Sequence, residues 1–410
     1  MMSWKEDSLG DVCELINRGV APKYIEEGGV AVLNQKCIRD HSINPSLARR
    51  HDSAAKKVNP DRYIKVGDVL VNSTGTGTLG RVAQVRQEPN EPTTVDTHVT
   101  IVRPQPGKFF NDFFGYMMIK IEEEIATSGE GASGQTELAR SVLAEKFRVS
   151  YPDSLPEQKR IVDILDEAFA GIDAAIANTE KNHANARELF ESYLNAVFTQ
   201  KGDGWVEKTL GEVYDVRDGT HDSPKYHSEG FPLVTSKNLK RDGLNLEKVQ
   251  YISESDYLKI NERSAVSVGD VLLAMIGTIG NPTVVEVEPS FSIKNVALFK
   301  VPQGQNSHFL KYYLQSGFVV SKMKKEAKGT TQKFVGLGYL RSFPIFVPSL
   351  SDQNKIVSRL DDICTESNNL ESLYKKKLTA LAELKQSILQ KAFAGELTTL
   401  LENAIDEAVA

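Results

Sequence analysis

The sequence predicts an α+β protein: two strand-rich α/β domains in a tandem pseudo-twofold repeat, separated by two long helices that form an antiparallel coiled coil. Its 410 residues leave room for two to four domains. Segments recur about 200 residues apart, and two glycine-poor stretches have helical periodicity. The chain is therefore predicted to be one module present twice.

The repeat rests on three segments that recur in the same order. They are Trp-x4-Leu-Gly-[Asp/Glu]-Val at 4–12 and 205–213, Val-Gly-Asp-Val-Leu at 66–70 and 268–272, and Leu-x2-Gln-x2-Ile-Val at 155–162 and 350–357. Solenoid repeats are only about 20–45 residues long, so this longer period indicates duplicated domains.

The first part of each copy is rich in Gly, Pro, Asn and Thr, with short β-forming runs between turns. The clearest runs cover 68–72, 95–103, 270–276 and 293–301. Residues 1–153 and 204–348 are therefore predicted to be the two strand-rich domains.

The second part of each copy is predicted to be a long helix, since 156–200 contains one glycine and 351–393 contains none. Ser154 stands at capping-box spacing from Glu157, and Ser351 or Asp352 is expected to cap the second helix. The predicted domain boundaries are therefore 154–203 for a central spacer helix and 349–410 for a C-terminal spacer helix and tail.

A heptad pattern predicts that these helices pair with each other. Apolar residues dominate the predicted a and d positions, and Asn182 and Lys377 are polar a residues near the middle of each helix. Leu189, Tyr193 and Leu384 also fall in this predicted seam. The alternative is two unrelated helices, each packed on its own domain.

Net charge is −6, which by itself argues against a nucleic-acid partner. The acidic excess lies mainly in the helices: residues 154–200 hold 8 acidic and 4 basic side chains. The domains carry local basic runs at 49–50 and 56–57, and five lysines lie at 322, 324, 325, 328 and 333. That lysine cluster is either a phosphate-contacting edge or an ordinary solvated surface.

Sequence motifs of catalysis are weak or missing. The segment 75–80 fits Gly-x-Gly-x-x-Gly, but a strand-like run follows it and 276–280 keeps only part of the pattern, so a glycine turn between strands is predicted. There is no Walker A sequence, and Asn281-Pro282 lacks the aromatic residue of an amino-methyltransferase motif. His41, His51, His221 and His227 have no metal-ligand spacing.

Three cysteines without a Cys-x-x-Cys pair predict reduced thiols. Residues 1–7 turn acidic where a signal peptide would be apolar, so none is expected, and no apolar stretch reaches membrane-spanning length. A cytoplasmic protein is expected.

Further segments complete the pattern: the glycine- and glutamine-containing stretches 131–135 and 329–332, the helix starts 152–158 and 348–353, and the segment Phe-Ala-Gly-Glu-Leu at 393–397. Together with the doubled motifs, they make nearly the whole chain resemble the specificity (S) subunit of Type I restriction-modification systems. One departure is that Ser133-Gly134-Gln135 stands where the second copy has Thr330-Thr331-Gln332.

The resemblance implies a non-catalytic DNA-binding subunit with two target recognition domains, each reading half of a bipartite, asymmetric sequence. It implies docking of two methyltransferase (M) subunits and, through them, restriction (R) subunits. This chain is then expected to carry no cofactor: S-adenosylmethionine belongs on M, and ATP and Mg on R.

A helix over 157–198 is roughly 60 Å long, which corresponds to more than one turn of DNA. The helix pair is therefore expected to act as a ruler. Inserting one helical turn should lengthen the spacer between the half-sites, as mapping of methylated adenines would test.

Polar loop positions that recur between the copies are the candidate DNA contacts, although each is equally compatible with an ordinary loop or phosphate-contacting residue. The candidates are Lys23, Tyr24, Gln35, Lys36, Arg39, Thr76 and Gln135 in the first copy, and Lys225, Tyr226, Ser236, Lys237, Thr278, Lys328, Thr331, Gln332 and Lys333 in the second.

Two other function classes stay open from the sequence. One is a DNA-independent protein scaffold of a related phage-defence complex. The other is a self-contained DNA methyltransferase or nuclease, which the missing motifs disfavour.

Overall fold

In the computed structural model, residues 4–129, 136–240, 243–330 and 332–397 are described. The chain divides into two compact units. Unit 1 comprises residues up to Asn178 together with those from Lys377 onward, and unit 2 comprises Thr179–Lys376.

Unit 1 begins with the elements of the first sequence copy. Its strands are β1 (Trp4–Ser8), β2 (Cys13–Arg18), β3 (Tyr24–Ile25), β4 (Val30–Leu33), β5 (Ile38–Arg39), β6 (Ser42–Ile43), β7 (Arg49–His51), β8 (Val69–Asn72), β9 (Val82–Gln84), β10 (Thr93–Val95), β11 (Val99–Pro104) and β12 (Arg148–Pro152). Its short helices are α1 (Leu9–Val12), α2 (Asn111–Lys120), α3 (Glu122–Thr127) and α4 (Arg140–Glu145), and 3₁₀ turns cover Gln35–Cys37, Pro45–Leu47 and Pro60–Arg62. The long helix α5 (Leu155–Gln200) follows.

Unit 2 contains the matching elements of the second copy. Its strands are β13 (Val206–Thr209), β14 (Asp215–Asp218), β15 (Phe231–Val234), β16 (Leu239–Lys240), β17 (Gly243–Leu244), β18 (Gln250–Ile252), β19 (Val271–Ala274), β20 (Gly280–Val284), β21 (Ser292–Ile293), β22 (Val296–Lys300) and β23 (Pro344–Val347). Its helices are α6 (Leu210–Val213), α7 (Glu254–Ser264), α8 (Ser307–Gln315), α9 (Gly317–Glu326) and α10 (Leu337–Ser342), followed by the long helix α11 (Leu350–Phe393).

The two copies have the same sheet topology, which confirms the predicted repeat of α/β domains. One sheet has the order β2-β11-β8-β9 in unit 1 and β14-β22-β19-β20 in unit 2. A second sheet has the order β10-β4-β7 in unit 1, extended by β3, and β21-β15-β18 in unit 2. The pairs β1-β12 and β13-β23, and β5-β6 and β16-β17, also correspond.

Two predicted strand runs are each divided into two strands. The run 95–103 becomes β10 and β11, and the run 293–301 becomes β21 and β22. The chain turns at 96–98 in the first case, where Asp96 accepts a hydrogen bond from the backbone of His98. In the second case Asn295 adopts a positive φ of 55°.

The repeated Val-Gly-Asp-Val-Leu segment forms a tight turn that leads into a central strand. Asp68 accepts a hydrogen bond from the backbone of Lys65 at 2.8 Å and pairs with the buried Arg103 at 2.7 Å. In unit 2, Asp270 pairs with Lys300 at 2.6 Å. The segment recurs because the aspartate both caps the turn and neutralises a cation on the neighbouring strand, which is buried in unit 1 and half-buried in unit 2.

A buried glutamine joins each long helix to its domain. Gln158 accepts a hydrogen bond from the backbone of Phe110 at 2.8 Å and donates to the carbonyl of Pro152 at 2.8 Å. Gln353 accepts from the backbone of Asn306 at 2.9 Å. This role accounts for the repeated glutamine at the start of each helix.

A buried tyrosine makes a second connection at the same place in each unit. Tyr116 on α2 donates a hydrogen bond to Asp166 at 2.5 Å, and Tyr312 on α8 donates to Asp361 at 2.5 Å. Each domain is therefore fixed to its helix by several separate contacts.

The two long helices pack together in both units, which confirms the predicted antiparallel pair. In unit 1, Lys385 of α11 forms an ion pair with Asp173 of α5 at 2.7 Å. In unit 2, Ser367 of α11 donates to the carbonyl of Ala186 of α5 at 2.6 Å. As the residue number increases along α5, the number of the contacting residue on α11 decreases, so the two helices are antiparallel.

The predicted heptad seam is wrong in the later part of α5. Leu189 and Tyr193 are 59% and 37% exposed, whereas Phe190 and Leu194 are buried. A straight α-helix drifts about 20° per heptad from a 3.5-residue repeat, so four heptads shift the inward face by nearly one residue. Asn182, Lys377 and Leu384 are likewise exposed.

The second helix begins earlier than the predicted cap. α11 starts at Leu350, and the side chain of Ser349 accepts a hydrogen bond from the backbone of Asp352 at 3.2 Å. Ser351 and Asp352 therefore lie inside the helix. None of the helices in the described ranges is long and apolar enough to cross a membrane.

Candidate nucleic-acid interface

Lys23-Tyr24 and Lys225-Tyr226 occupy equivalent places in the two units, as predicted from the sequence. Tyr24 pairs with His51 across β3 and β7. In unit 2, a single bridge joins His227 to Tyr251 of β18 and gives the same register. All four candidate side chains are exposed.

The segment after β4 corresponds to that after β15, so Gln35-Lys36 aligns with Ser236-Lys237. Each segment is a turn closed by its fourth residue: Cys37 accepts from the backbone of Asn34, and Asn238 accepts from the backbone of Thr235. Lys36 and Lys237 are exposed at both turns, as is Arg39 on β5.

The Gly-x-Gly-x-x-Gly segment is a turn between two antiparallel strands, β8 and β9, as predicted. Gly75 has a φ of 103°, which favours glycine, and an added Cβ would lie 2.5 Å from Oγ1 of Thr78. The side-chain oxygen of Gln35 is buried beside this turn. Gln35 is thus less accessible than the neighbouring Thr76, which is exposed.

The glycine turns contact the loops that contain the predicted glutamines. The backbone N–H of Gly75 donates to the carbonyl of Thr136 at 3.1 Å, and that of Gly277 donates to Lys333 at 2.9 Å. The residues just before these acceptors are Gln135 and Gln332, so the two loops align despite their different sequences. Gln135 and Thr331 lie outside the described residues.

In unit 2, this contact brings four candidates together. Thr278, Lys328, Gln332 and Lys333 are exposed, and paired backbone hydrogen bonds join Lys328 to Phe334 at 2.8 and 2.9 Å. The other cluster lysines, 322, 324 and 325, are exposed on α9. Basic side chains therefore follow one another along the helix and its following loop.

In unit 1, a chain of contacts links the turns into one surface. Thr74 and His98 share a hydrogen bond of 2.7 Å, and the backbone of His98 donates to Asp96. Burial raises the pKa of Asp96, and His98 and Arg49 partly offset this effect. The glycine turn and the end of β10 are thus held together.

In the sequence Arg49 is part of a basic run, and in the structure it belongs to this surface. The guanidinium carbon of Arg49 lies 3.3 Å from the centre of the Tyr24 ring. Partial burial raises the pKa of Tyr24, and the Asp96 carboxylate raises it further. Only the strand register reveals this pair, because 25 residues separate its members in sequence.

Unit 2 has a different polar cluster at the end of β14. His221 hydrogen-bonds Asn295 at 2.8 Å and Asp218 at 2.9 Å, and Asp218 also pairs with Arg263. The hydrogen bonds to Asn295 and Asp218 raise the pKa of His221. Lys294 follows β21 and donates to Ser223 at 2.6 Å.

Over the described ranges, no group of three or more His, Cys, Asp or Glu side chains is arranged to hold a metal ion. The arrangement in each unit is a rigid strand frame with exposed basic, amide and hydroxyl side chains on its turns. Such groups contact phosphates and base edges of DNA.

Comparison with known proteins gives a consistent family assignment. The model of the Type I restriction modification DNA specificity domain matches residues 1–184 and 202–380. The EcoBI specificity subunit of Escherichia coli is 22% identical over 337 residues, which cover 75% of this chain and 70% of that protein. The StySPI specificity subunit of Salmonella potsdam is 23% identical over 282 residues, covering 60% of this chain and 57% of that protein.

Two solved structures have the same fold. One, described as showing complex assembly and conformational transition of the type I R-M system, superposes with a TM-score of 0.75 at 20% identity and covers 97% of this chain and 100% of that chain. The other is the HsdS subunit from Thermoanaerobacter tengcongensis, with a TM-score of 0.62 at 20% identity, covering 96% of this chain and 97% of that chain.

Proposed function

The chain belongs to the family of Type I restriction-modification DNA specificity proteins, and we propose that it selects the DNA target of such a system. Residues 1–153 and 204–348 act as target recognition domains, each reading one half of a bipartite, asymmetric sequence. Residues 154–203 and 349–410 form the spacer between them. The observation that carries this proposal is one strand frame built twice with different exposed side chains on equivalent turns.

In this proposal the contacts to DNA come from the predicted turn residues. Lys23, Lys36, Lys225 and Lys237 recur at equivalent positions, which suits phosphate contacts made alike by both domains. Side chains that differ between the units, such as Gln35 and Ser236, suit contacts to different bases, which for Gln35 requires that its buried side-chain oxygen become accessible on DNA binding.

The long helices are the proposed docking surface for two M subunits, and R subunits join through M. Leu189 on α5 and Leu373 on α11 are 59% and 58% exposed, both in unit 2. Exposed large apolar side chains favour a protein partner over a phosphate backbone, and α5, which carries Leu189, is also acidic. The chain itself is proposed to be non-catalytic and to act in the cytoplasm, with S-adenosylmethionine bound by M and ATP and Mg by R.

Sequencing of methylated adenines in cells that express the chain with its cognate M subunit tests the DNA-reading role. The expected result is a two-part motif that is lost when the chain is absent. Methylation without any defined motif would contradict the proposal. Binding of S-adenosylmethionine to the isolated chain in a calorimetric titration would contradict the non-catalytic role.

Co-purification tests the docking surface. The double variant Leu189→Glu, Leu373→Glu is expected to lose the M subunit while its DNA affinity stays unchanged. Leu258→Glu is the matched control, because Leu258 is also 58% exposed but lies on α7. Retention of M by the double variant would place the docking surface elsewhere.

A further inference from the structure

We propose that Arg49 and Gln250 are equivalent base-reading positions, Arg49 recognising a guanine in one half-site and Gln250 an adenine in the other. This inference rests on the proposed DNA-reading function. It goes further by assigning one specificity-determining side chain in each domain.

The orientation of the Arg49 side chain is fixed by its strand and by Tyr24, which suits a contact to one base. It lies on β7 opposite Val32, just before β4 ends and the turn with Gln35 begins. Its guanidinium stacks on the ring of Tyr24, and the side chain is exposed. Across the described ranges no carboxylate lies within ion-pair distance of Arg49, and its hydrogen bond to Tyr24 leaves other guanidinium donors available to a ligand.

The adjacent Arg50 has a structural role instead. Its Nη1 contacts both carboxylate oxygens of Glu91 at 2.8 Å, and its Nε donates to the carbonyl of Gly28 at 2.9 Å. Two neighbouring arginines are therefore distinguished by their partners: Arg50 joins parts of unit 1, and Arg49 faces outward.

Gln250 stands at the position of Arg49 in unit 2. It opens β18 and pairs with Leu233 of β15, as Arg49 opens β7 and pairs with Val32 of β4. Gln250 is exposed, and the strand register puts Tyr226 at the place of Tyr24.

The chemistry of the two side chains differs as base reading requires. A guanidinium donates two hydrogen bonds to O6 and N7 of guanine, whereas a glutamine amide donates to N7 and accepts from N6 of adenine. A neutral amide does not neutralise a phosphate charge, so the exchange of Arg49 for Gln250 suits a contact that differs between the half-sites better than one phosphate contact made alike by both units. The lysines at 23 and 225, and at 36 and 237, keep their charge in both units.

Selection of bound sequences from a random duplex library tests the proposal. The full chain, alone and with its M subunit, is compared with the variants Arg49→Gln and Gln250→Arg. The expected effect of Arg49→Gln is a 5- to 150-fold loss of preference for one guanine, roughly the span of one bidentate contact, in one half-site only. Gln250→Arg is expected to change one adenine position in the other half-site.

Arg50→Gln is the matched control and should leave the motif unchanged. A positioning role of Tyr24 predicts that Tyr24→Phe keeps the guanine preference, because the ring remains, while Tyr24→Ala weakens it. Thermal unfolding of each variant, followed by circular dichroism, verifies that the exposed substitutions leave the fold intact.

The outcomes separate this inference from the proposed function. If Arg49→Gln selects the unchanged motif with uniformly lower affinity, Arg49 contacts phosphate and the inference is wrong, but the DNA-reading function stands. If the unmodified chain selects no motif in either form, both are wrong.

Discussion

The two units share their internal connections and differ on their exposed turns. The aspartate of Val-Gly-Asp-Val-Leu pairs with a cation on the neighbouring strand in both, Arg103 in unit 1 and Lys300 in unit 2. The glutamine and tyrosine that fix each domain to its helix are also the same. The duplicated sequence therefore preserves what holds the frame together.

The strand ends that lead into the turns have diverged in charge: Asp96 and Asp218 are buried there, and Arg18 and Lys294 are half-buried. Asp96 and Lys294 occupy the same place after β10 and β21, since each donates its backbone N–H to the last residue of the neighbouring strand. Arg18 and Asp218 likewise end β2 and β14. The two units thus share their internal contacts and differ where the strands lead into the turns. This arrangement is expected when two copies recognise different ligands.

The largest expected effect distinguishes the buried Asp68–Arg103 ion pair from the partly exposed Asp270–Lys300 ion pair. Asp68→Ala should lower the free energy of unfolding of unit 1 by about 3–5 kcal/mol, because it leaves the buried Arg103 without its partner. Asp270→Ala should cost on the order of 2 kcal/mol in unit 2, because the side chain of Lys300 is 26% exposed and reaches water.

The two tryptophans, Trp4 in unit 1 and Trp205 in unit 2, allow these changes to be measured separately. Urea unfolding is followed by fluorescence in a Trp205→Phe background for unit 1 and in a Trp4→Phe background for unit 2. Asp112→Ala is the control for unit 1, as its ion pair with Arg86 is exposed and long at 3.5 Å. Equal losses in the two units would contradict the predicted difference.

A smaller and equal effect is expected at the shared helix contacts. Gln158→Ala and Gln353→Ala should each lower the stability of their own unit by about 2–3 kcal/mol, because each leaves buried backbone groups unpaired. The same tryptophan fluorescence measures both. Gln386→Ala, which removes an exposed contact to Glu123, should change stability by less than about 0.5 kcal/mol.

Sequence could predict the repeated frame because its signals are local. The turn aspartate and the helix-start glutamine each lie within a short motif that occurs twice. The partners of these residues are distant in sequence: Arg103 and Phe110 are contacted only after strands and helices have assembled. No local pattern identifies them.

The helix seam and the stacked arginine show two further limits. The heptad assignment is correct at Leu165 and Ile172 but fails at Leu189, because the difference between 3.5 and 3.6 residues per turn accumulates along the helix. The sequence identifies Arg49 only as a basic residue, since its stacking on Tyr24 depends on strand register. Local composition therefore predicts that a face is basic, but it does not predict which basic side chain is held in a fixed orientation by its neighbours.

The lysines that occur at equivalent positions in both units provide a test that should give equal results in the two units. Lys23→Ala and Lys225→Ala should each reduce the slope of log affinity against log salt by about 0.9, as expected for one phosphate contact, with no change in the preferred sequence. Fluorescence anisotropy on a labelled duplex over a salt series measures the slope. Lys181→Ala on α5 is the control, and a changed motif for either variant would assign that lysine to base reading.

The smallest expected effect concerns pH and belongs to unit 2 alone. The pKa of His221 is raised in the folded state by Asn295 and Asp218, so folding favours the protonated ring. The stability that this adds is complete below the unfolded pKa of about 6.5 and is lost as pH rises through the folded value. Because the side chain is 57% exposed, we expect a loss of only a few tenths of a kcal/mol.

Unit 1 provides the comparison. The glycine that follows β2 matches the glycine that follows β14, and two residues further on unit 1 has Ala21 where unit 2 has His221. Urea unfolding between pH 5.5 and about 8.5, followed through Trp205 in the Trp4→Phe background, should show the decline in unit 2, and His221→Gln should abolish it. Arg263 lies close enough to oppose protonation, so Arg263→Gln should shift the decline to higher pH. If the chain that keeps His221 became more stable as pH rises, and His221→Gln did not, then folding would lower the pKa of His221 and the direction assigned here would be wrong.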